Sequence, residues 1–165
     1  MASNLKNLSD YDKSLIPLGD GLNIGIVISE WNDEITRKLA EGAISTLIDN
    51  GVDNDNIFIE YVPGSFELPL GAKFLFNSLL SEDIELDAVI CLGCVIQGET
   101  RHFEFICQAV SQGIMQLGIS LNLPVVFGLL TTENLDQAQA RSGGKHGNKG
   151  VEAAVTALKM VQLAL

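Results

Sequence analysis

Apolar positions along the chain fall into two kinds of run, and the two kinds alternate. Residues 22–29 (LNIGIVIS), 57–61, 87–95 and 124–130 (PVVFGLL) are short, continuous and rich in branched side chains, as strands buried on both faces are. Between them the apolar spacing changes to three and four. Ile35, Leu39, Ala43 and Leu47 step by four along one helix, which Gly51 ends as a C′ glycine. A second helix follows residues 62–67, carries Pro69 in its first turn, and runs to about Leu80. Phe103, Ile106, Cys107, Val110, Ile114, Leu117 and Leu121 line one face of a long third helix that begins near Thr100. A short helix ends near Arg141, and residues 151–165 form the last one. Side-chain caps are expected from Asn32 or Asp33, from Ser65, and from Thr131 or Thr132.

Strand and helix in strict alternation predict a four-stranded parallel sheet with helices on both faces. That is a flavodoxin-like, three-layer α/β sandwich. Residues 22–165 read as one domain, a length that suits a single core. Residues 1–21 are polar and close with Pro17, Gly19 and Gly21. They read as an arm, either disordered or laid along a neighbouring subunit, where it would add a strand to that subunit's sheet.

Composition narrows the partners. The net charge of −11 opposes general attraction to nucleic acid or anionic membrane, and it repels a phosphorylated metabolite at long range. Any phosphate site therefore needs a local cation. The first 20 residues lack the apolar region of a signal peptide, and no run reaches membrane-spanning length, so the expected location is cytoplasmic. The three cysteines are too few, and odd in number, for a disulfide framework. Cys91 and Cys94 form a C-x-x-C pair, but inside an apolar strand and not at a helix start. No second pair of ligands follows, so neither redox chemistry nor a metal is expected there.

The candidate chemistry centres on residues 91–106, CLGCVIQGETRHFEFI. The stretch reads as strand, tight turn at Gly93 and Gly98, then helix with His102 in its first turn. Open α/β folds bind ligands at such a junction. Residues 93–100 mimic a P-loop, but Glu99 stands at the lysine position, which excludes ordinary nucleoside triphosphate binding. Backbone N–H groups at the helix start still favour a small anion. Two readings stay open: a ligand site, or glycines that only permit the turn beside a histidine that caps or packs. Trp31, the only tryptophan, sits either at the ligand edge or in the core at the top of the sheet. Residues 142–150 concentrate glycine and cations, as an anion site or as a solvated turn.

Four segments go beyond a generic α/β reading: VPGSFELP at 62–69, GCVIQGETRHF at 93–103, FGLLTTE at 127–133 and GNKGVEAA at 147–154. In this order and spacing they closely resemble the 6,7-dimethyl-8-ribityllumazine synthase family, from about Asn23 to the C-terminus. The resemblance implies a transferase of riboflavin biosynthesis, acting at the penultimate step. It condenses 5-amino-6-(D-ribitylamino)uracil with 3,4-dihydroxy-2-butanone 4-phosphate, using no metal or organic cofactor. It also implies pentamers, in some relatives assembled into icosahedral shells of twelve, with active sites between adjacent subunits.

Roles follow position by position, as what the resemblance implies. His102 matches the proton-transfer residue. Trp31 matches an aromatic residue that stacks on the pyrimidine, and Asn32 follows it. Ser65, Phe66 and Glu67 match the segment holding the ribityl chain and ring. Cys94, Val95 and Ile96 match a strand end that contacts the uracil through its backbone. Phe127 matches an aromatic residue contributed by the adjacent subunit, and Lys149 a lysine near the substrate ring. Glu99, Thr100 and Arg141 match the butanone-phosphate site, and Glu152 a glutamate near the histidine. Gln97, Arg101 and Lys159 depart from the usual pattern, the first two beside the phosphate turn. The short link at 143–150 is similar to that of shell-forming relatives. The competing readings are a non-catalytic flavin or lumazine carrier and a shell protein of the same fold.

Overall fold

The computed structural model describes residues 7 and 9–164. Ile24–Ser29 is buried along its whole length and forms β1, a central strand. Asp33–Asp49 forms α1, Ile57–Val62 forms β2, and Leu68–Ser81 forms α2 with Pro69 in the first turn. Ala88–Ile96 forms β3, His102–Leu121 the long α3, Val125–Thr132 β4 and Leu135–Ala140 the short α4. A hairpin of β5 (Ser142–Gly144) and β6 (Gly147–Asn148) leads into α5 (Lys149–Ala164). The main sheet has the order β2-β1-β3-β4, all parallel, with Ile24 facing both Ile57 and Ala88, and Val89 facing Val125.

Side-chain alternation splits the core in two. Ile24, Ile26, Ile28, Ile90 and Leu92 point to one face, where α1 and α5 cover them with Leu39, Leu47, Ala154 and Leu158. Val27, Val89 and Cys91 point to the other, under Leu68, Ala72 and Leu75 of α2 and Val110 and Ile114 of α3. Each fully buried branched side chain contributes about 1.5–3 kcal/mol relative to exposure. This is the flavodoxin-like architecture that the alternation predicts.

Several local expectations are corrected. Gly93 does not break the strand: it lies inside β3, and a Cβ there would stand 2.6 Å from Leu129 Cδ1 and 2.8 Å from Ser65 Oγ. Its role is close packing beneath the β2–α2 loop, not turning the chain. Ser65 caps no helix; it opens a short 3-10 turn and its side chain is buried. Thr131 and Thr132 remain in β4, and Asn134 caps α4 by accepting from Gln137 N–H. The glycine-rich stretch at 142–150 is a hairpin, and α5 starts at Lys149, two residues before the expected 151.

The described part of the expected arm forms no strand and packs on its own chain. Ile16 is buried in the α1 face of the core, Gly19 N–H donates to Asn50 O at 2.7 Å, and Ser9 Oγ donates to Asn148 O at 2.9 Å. Residues 1–6 and 8 lie outside the described residues.

Two predictions follow from the core. Gly93→Ala should overpack β3 and cost about 1–3 kcal/mol, a melting temperature lower by roughly 2–10 °C, read by thermal denaturation. Burial pushes the Cys91 thiol up to about 12 and the Cys94 thiol to about 11, from an ordinary 9.0. Unfolded thiols ionise from about pH 9 while the folded ones stay protonated. Stability should therefore hold below that pH and fall as the pH rises from 9 toward 11 and 12. For Cys91 the slope approaches about 1.4 kcal/mol per pH unit, measurable by urea titrations at pH 8 and 10.5.

Candidate active site

The order β2-β1-β3-β4 sends the chain in opposite directions after β1 and β3, which opens a crevice between their carboxyl ends. Three loops meet there. The β1–α1 loop is tied to its neighbours by backbone bonds from Glu30 N–H to Val62 O and from Trp31 N–H to Pro63 O. Asn32 then takes a left-handed conformation, φ 61°, which Asn tolerates better than most residues. It occupies the N-cap position of α1 but makes no side-chain cap. Its Nδ2 instead donates to Cys94 O at 2.9 Å, pinning the loop to the end of β3. The amide expected to cap a helix or touch substrate is thus held by the strand.

Trp31 is 73% exposed, so the reading that places it in the core does not hold. A Cβ at Gly64 would stand 3.4 Å from Trp31 Cδ1, so the indole lies beside the β2–α2 loop. That loop carries Ser65, whose Oγ donates to Ser29 Oγ at 3.5 Å, and Phe66, which is 56% exposed. The β3–α3 loop is braced from within. Gln97 N–H donates to Thr132 O, and Gln97 Nε2 donates to Gly98 O at 2.7 Å and to Thr100 O at 3.5 Å. Gln97, a departure from the family pattern, closes the turn in place of supplying charge. Thr100 Oγ1 accepts from His102 N–H at 3.4 Å, which sets the histidine at the helix start.

The loops enclose a cavity of about 650 Å³. Trp31, Asn32, Ser65, Phe66 and Glu67 line one side; Cys94, Val95, Ile96 and His102 line the other. Two further lining residues escaped the sequence reading. Gly64 looked like turn chemistry only, and Ile106 like core; its place one helical turn beyond His102 was the available signal. Glu99 and Thr100 are exposed in the adjoining turn and do not form the wall. Cys94, with its thiol pushed up by burial, is a neutral wall group and no nucleophile.

The remaining candidates lie elsewhere in the same chain. Phe127 and Lys149 line a separate, largely apolar groove of about 700 Å³ formed by α3, β4 and α5. The groove is slightly larger than the crevice, and His102 lines only the crevice. Arg141 follows α4, where Nη1 donates to His146 O at 2.7 Å and Nη2 lies 2.6 Å from Glu152 Oε1. Lys149 Nζ donates to Glu152 Oε2 at 3.3 Å. Glu152 Oε1 is buried and accepts no well-angled hydrogen bond, so its contact with Arg141 is an ion pair held by charge. Two cations sharing one carboxylate leave a local positive excess in an acidic chain.

The crevice offers two exposed aromatic faces for a flat ring, a carboxylate at Glu67, and the imidazole of His102. Sequence comparison meets this geometry. The family model described as 6,7-dimethyl-8-ribityllumazine synthase matches residues 21–164. A 6,7-dimethyl-8-ribityllumazine synthase of Porphyromonas gingivalis is 54% identical over 99% of this chain and 98% of its own. That of Cytophaga hutchinsonii is 55% identical over 98% of each, and that of Parabacteroides distasonis 52% identical over 99% of each. The chain belongs to the 6,7-dimethyl-8-ribityllumazine synthase family.

Proposed function

We propose that the chain is a transferase of riboflavin biosynthesis. It condenses 5-amino-6-(D-ribitylamino)uracil with 3,4-dihydroxy-2-butanone 4-phosphate to give 6,7-dimethyl-8-ribityllumazine, with loss of phosphate and water. The observation that carries this reading is the convergence of three separate loops, with Trp31, Phe66, Glu67 and His102, on one cavity in a chain of this family. Trp31 stacks on the pyrimidine; Asn32 holds that loop to β3. Ser65, Phe66 and Glu67 bind the ribityl side and ring, and the backbone at Cys94, Val95 and Ile96 reads the uracil edge. Glu99 and Thr100 form the turn for the ketone phosphate, and Arg141 meets the phosphate itself. His102 moves protons during imine formation, phosphate loss and ring closure. The substrates carry most of the reactivity, so holding them side by side contributes more than acid–base work. A carrier protein would leave an imidazole at the cavity wall without a task.

The same reading assembles the subunit with its copies. Phe66, Leu70 and Phe74 are exposed near the β2 edge, while the Phe127–Lys149 groove opens beside β4 at the opposite edge. Two different complementary patches make a heterologous contact, which closes into a ring. We take the ring to be a pentamer, able to build an icosahedral shell, with Phe127 and Lys149 of one subunit completing the crevice of the next. Residues 22–165 are taken as one domain and 1–21 as an arm, in keeping with a family match that begins at residue 21. The three unpaired cysteines support a reducing, cytoplasmic setting.

Mixing the two substrates with the protein should produce lumazine fluorescence; no product would overturn the reading. His102→Ala should slow turnover by no more than roughly 10²-fold, the low end of acid–base contributions. An unchanged rate would remove His102 from the mechanism. Arg141→Ala should chiefly raise KM for the ketone phosphate. Mass photometry should show pentamers or sixty-subunit particles, and a monomer would defeat the ring.

A further inference from the structure

Asn148 has no part in the roles above, yet all of its polar groups are engaged. Its Nδ2 donates to Lys38 O in α1 at 2.7 Å, and its Oδ1 accepts from Gly150 N–H at 2.8 Å, the pattern of an N-cap for α5. Its backbone N–H and C=O both meet the Ser9 hydroxyl. Space for the amide is built in. A Cβ at Gly42 would stand 2.5 Å from Asn148 Nδ2, and one at Gly150 would stand 1.8 Å from Leu39 O. The two glycines let α1 and α5 approach until the Asn148 side chain, at the end of β6, reaches a carbonyl of α1.

Asn148 also stands between the two cations. Lys149 is the next residue, and its N–H donates to Arg141 O at 2.9 Å. Arg141, Glu152 and Lys149 are then joined by the ion pairs described above. The hairpin carrying both cations touches α1 side chain to backbone through the Asn148 amide. We propose that Asn148 is a positioning residue: through the hairpin it fixes Arg141 to the rigid body of its subunit. This rests on the function proposed above, in which Arg141 meets the ketone phosphate. Losing the Lys38 anchor frees the hairpin to swing, so binding of the phosphorylated substrate suffers first.

The test is steady-state kinetics of the full-length protein with each substrate varied in turn. Asn148→Ala removes both bonds of the amide. Asn148→Ser keeps a capping hydroxyl for Gly150 but is too short to reach Lys38 O, and it carries the test if the alanine variant fails to fold. Both should raise KM for the ketone phosphate about tenfold, the worth of one hydrogen bond of the stronger kind. KM for the aminopyrimidine should stay within about twofold. Asn148→Ser should melt close to the parent and Asn148→Ala lower, so that the KM split follows the anchor and not stability. An Asn148→Ser variant with parental KM, or with both KM values raised together, overturns the positioning role while the parent protein still makes product. A parent protein that makes no product overturns this role together with the reading beneath it.

Discussion

The central strands β1 and β3 are buried on both faces, and that burial dictates where everything else can be. A strand sealed by α1 and α5 on one side and by α2 and α3 on the other has no polar surface along its length. Function is pushed to the strand ends, where backbone groups leave the ladder and need new partners. The Cys94 carbonyl is one such group, and Asn32 satisfies it. A bond that answers a backbone demand also fixes the loop bearing Trp31. Gly93, one residue earlier, gives the β2–α2 loop room to settle over the same strand.

Much of this was legible in the residues, and the exceptions share a cause. Apolar spacing located every strand and helix of the main sheet because burial on two faces leaves few alternatives. The caps were misread because short polar side chains have several possible partners, and tertiary structure chose. Asn32 went to a strand carbonyl, Ser65 to a buried hydroxyl, and Thr132 stayed in a strand that suits its branched side chain. Gly93 looked like punctuation because a missing side chain reads the same whether it frees a turn or makes room for a neighbour. The hairpin at 142–148 was hidden for a similar reason: glycines carry no facing pattern.

The site divides along the same line. Residues on three successive loops were placed together by fold class alone, and the cavity contains nine of the predicted positions. Phe127, Lys149, Arg141 and Glu152 stand apart from the crevice, on β4, at the end of α4 and on α5. Charge follows the division. Arg141 and Lys149 share the Glu152 carboxylate, with a backbone carbonyl bracing Arg141, away from the aromatic wall.

The clasp between Ser9 and Asn148 joins positions 139 residues apart in sequence. Asn148 lies at the foot of α5, so the clasp ties the segment before β1 to the helix that follows the hairpin. Closing a loop over that span costs more chain entropy than a local contact does. The sheet face under α1 and α5 and the cationic triad both need α5, which seals the one and carries Lys149 and Glu152 of the other. Closure of the core and assembly of the triad are thereby one coupled event.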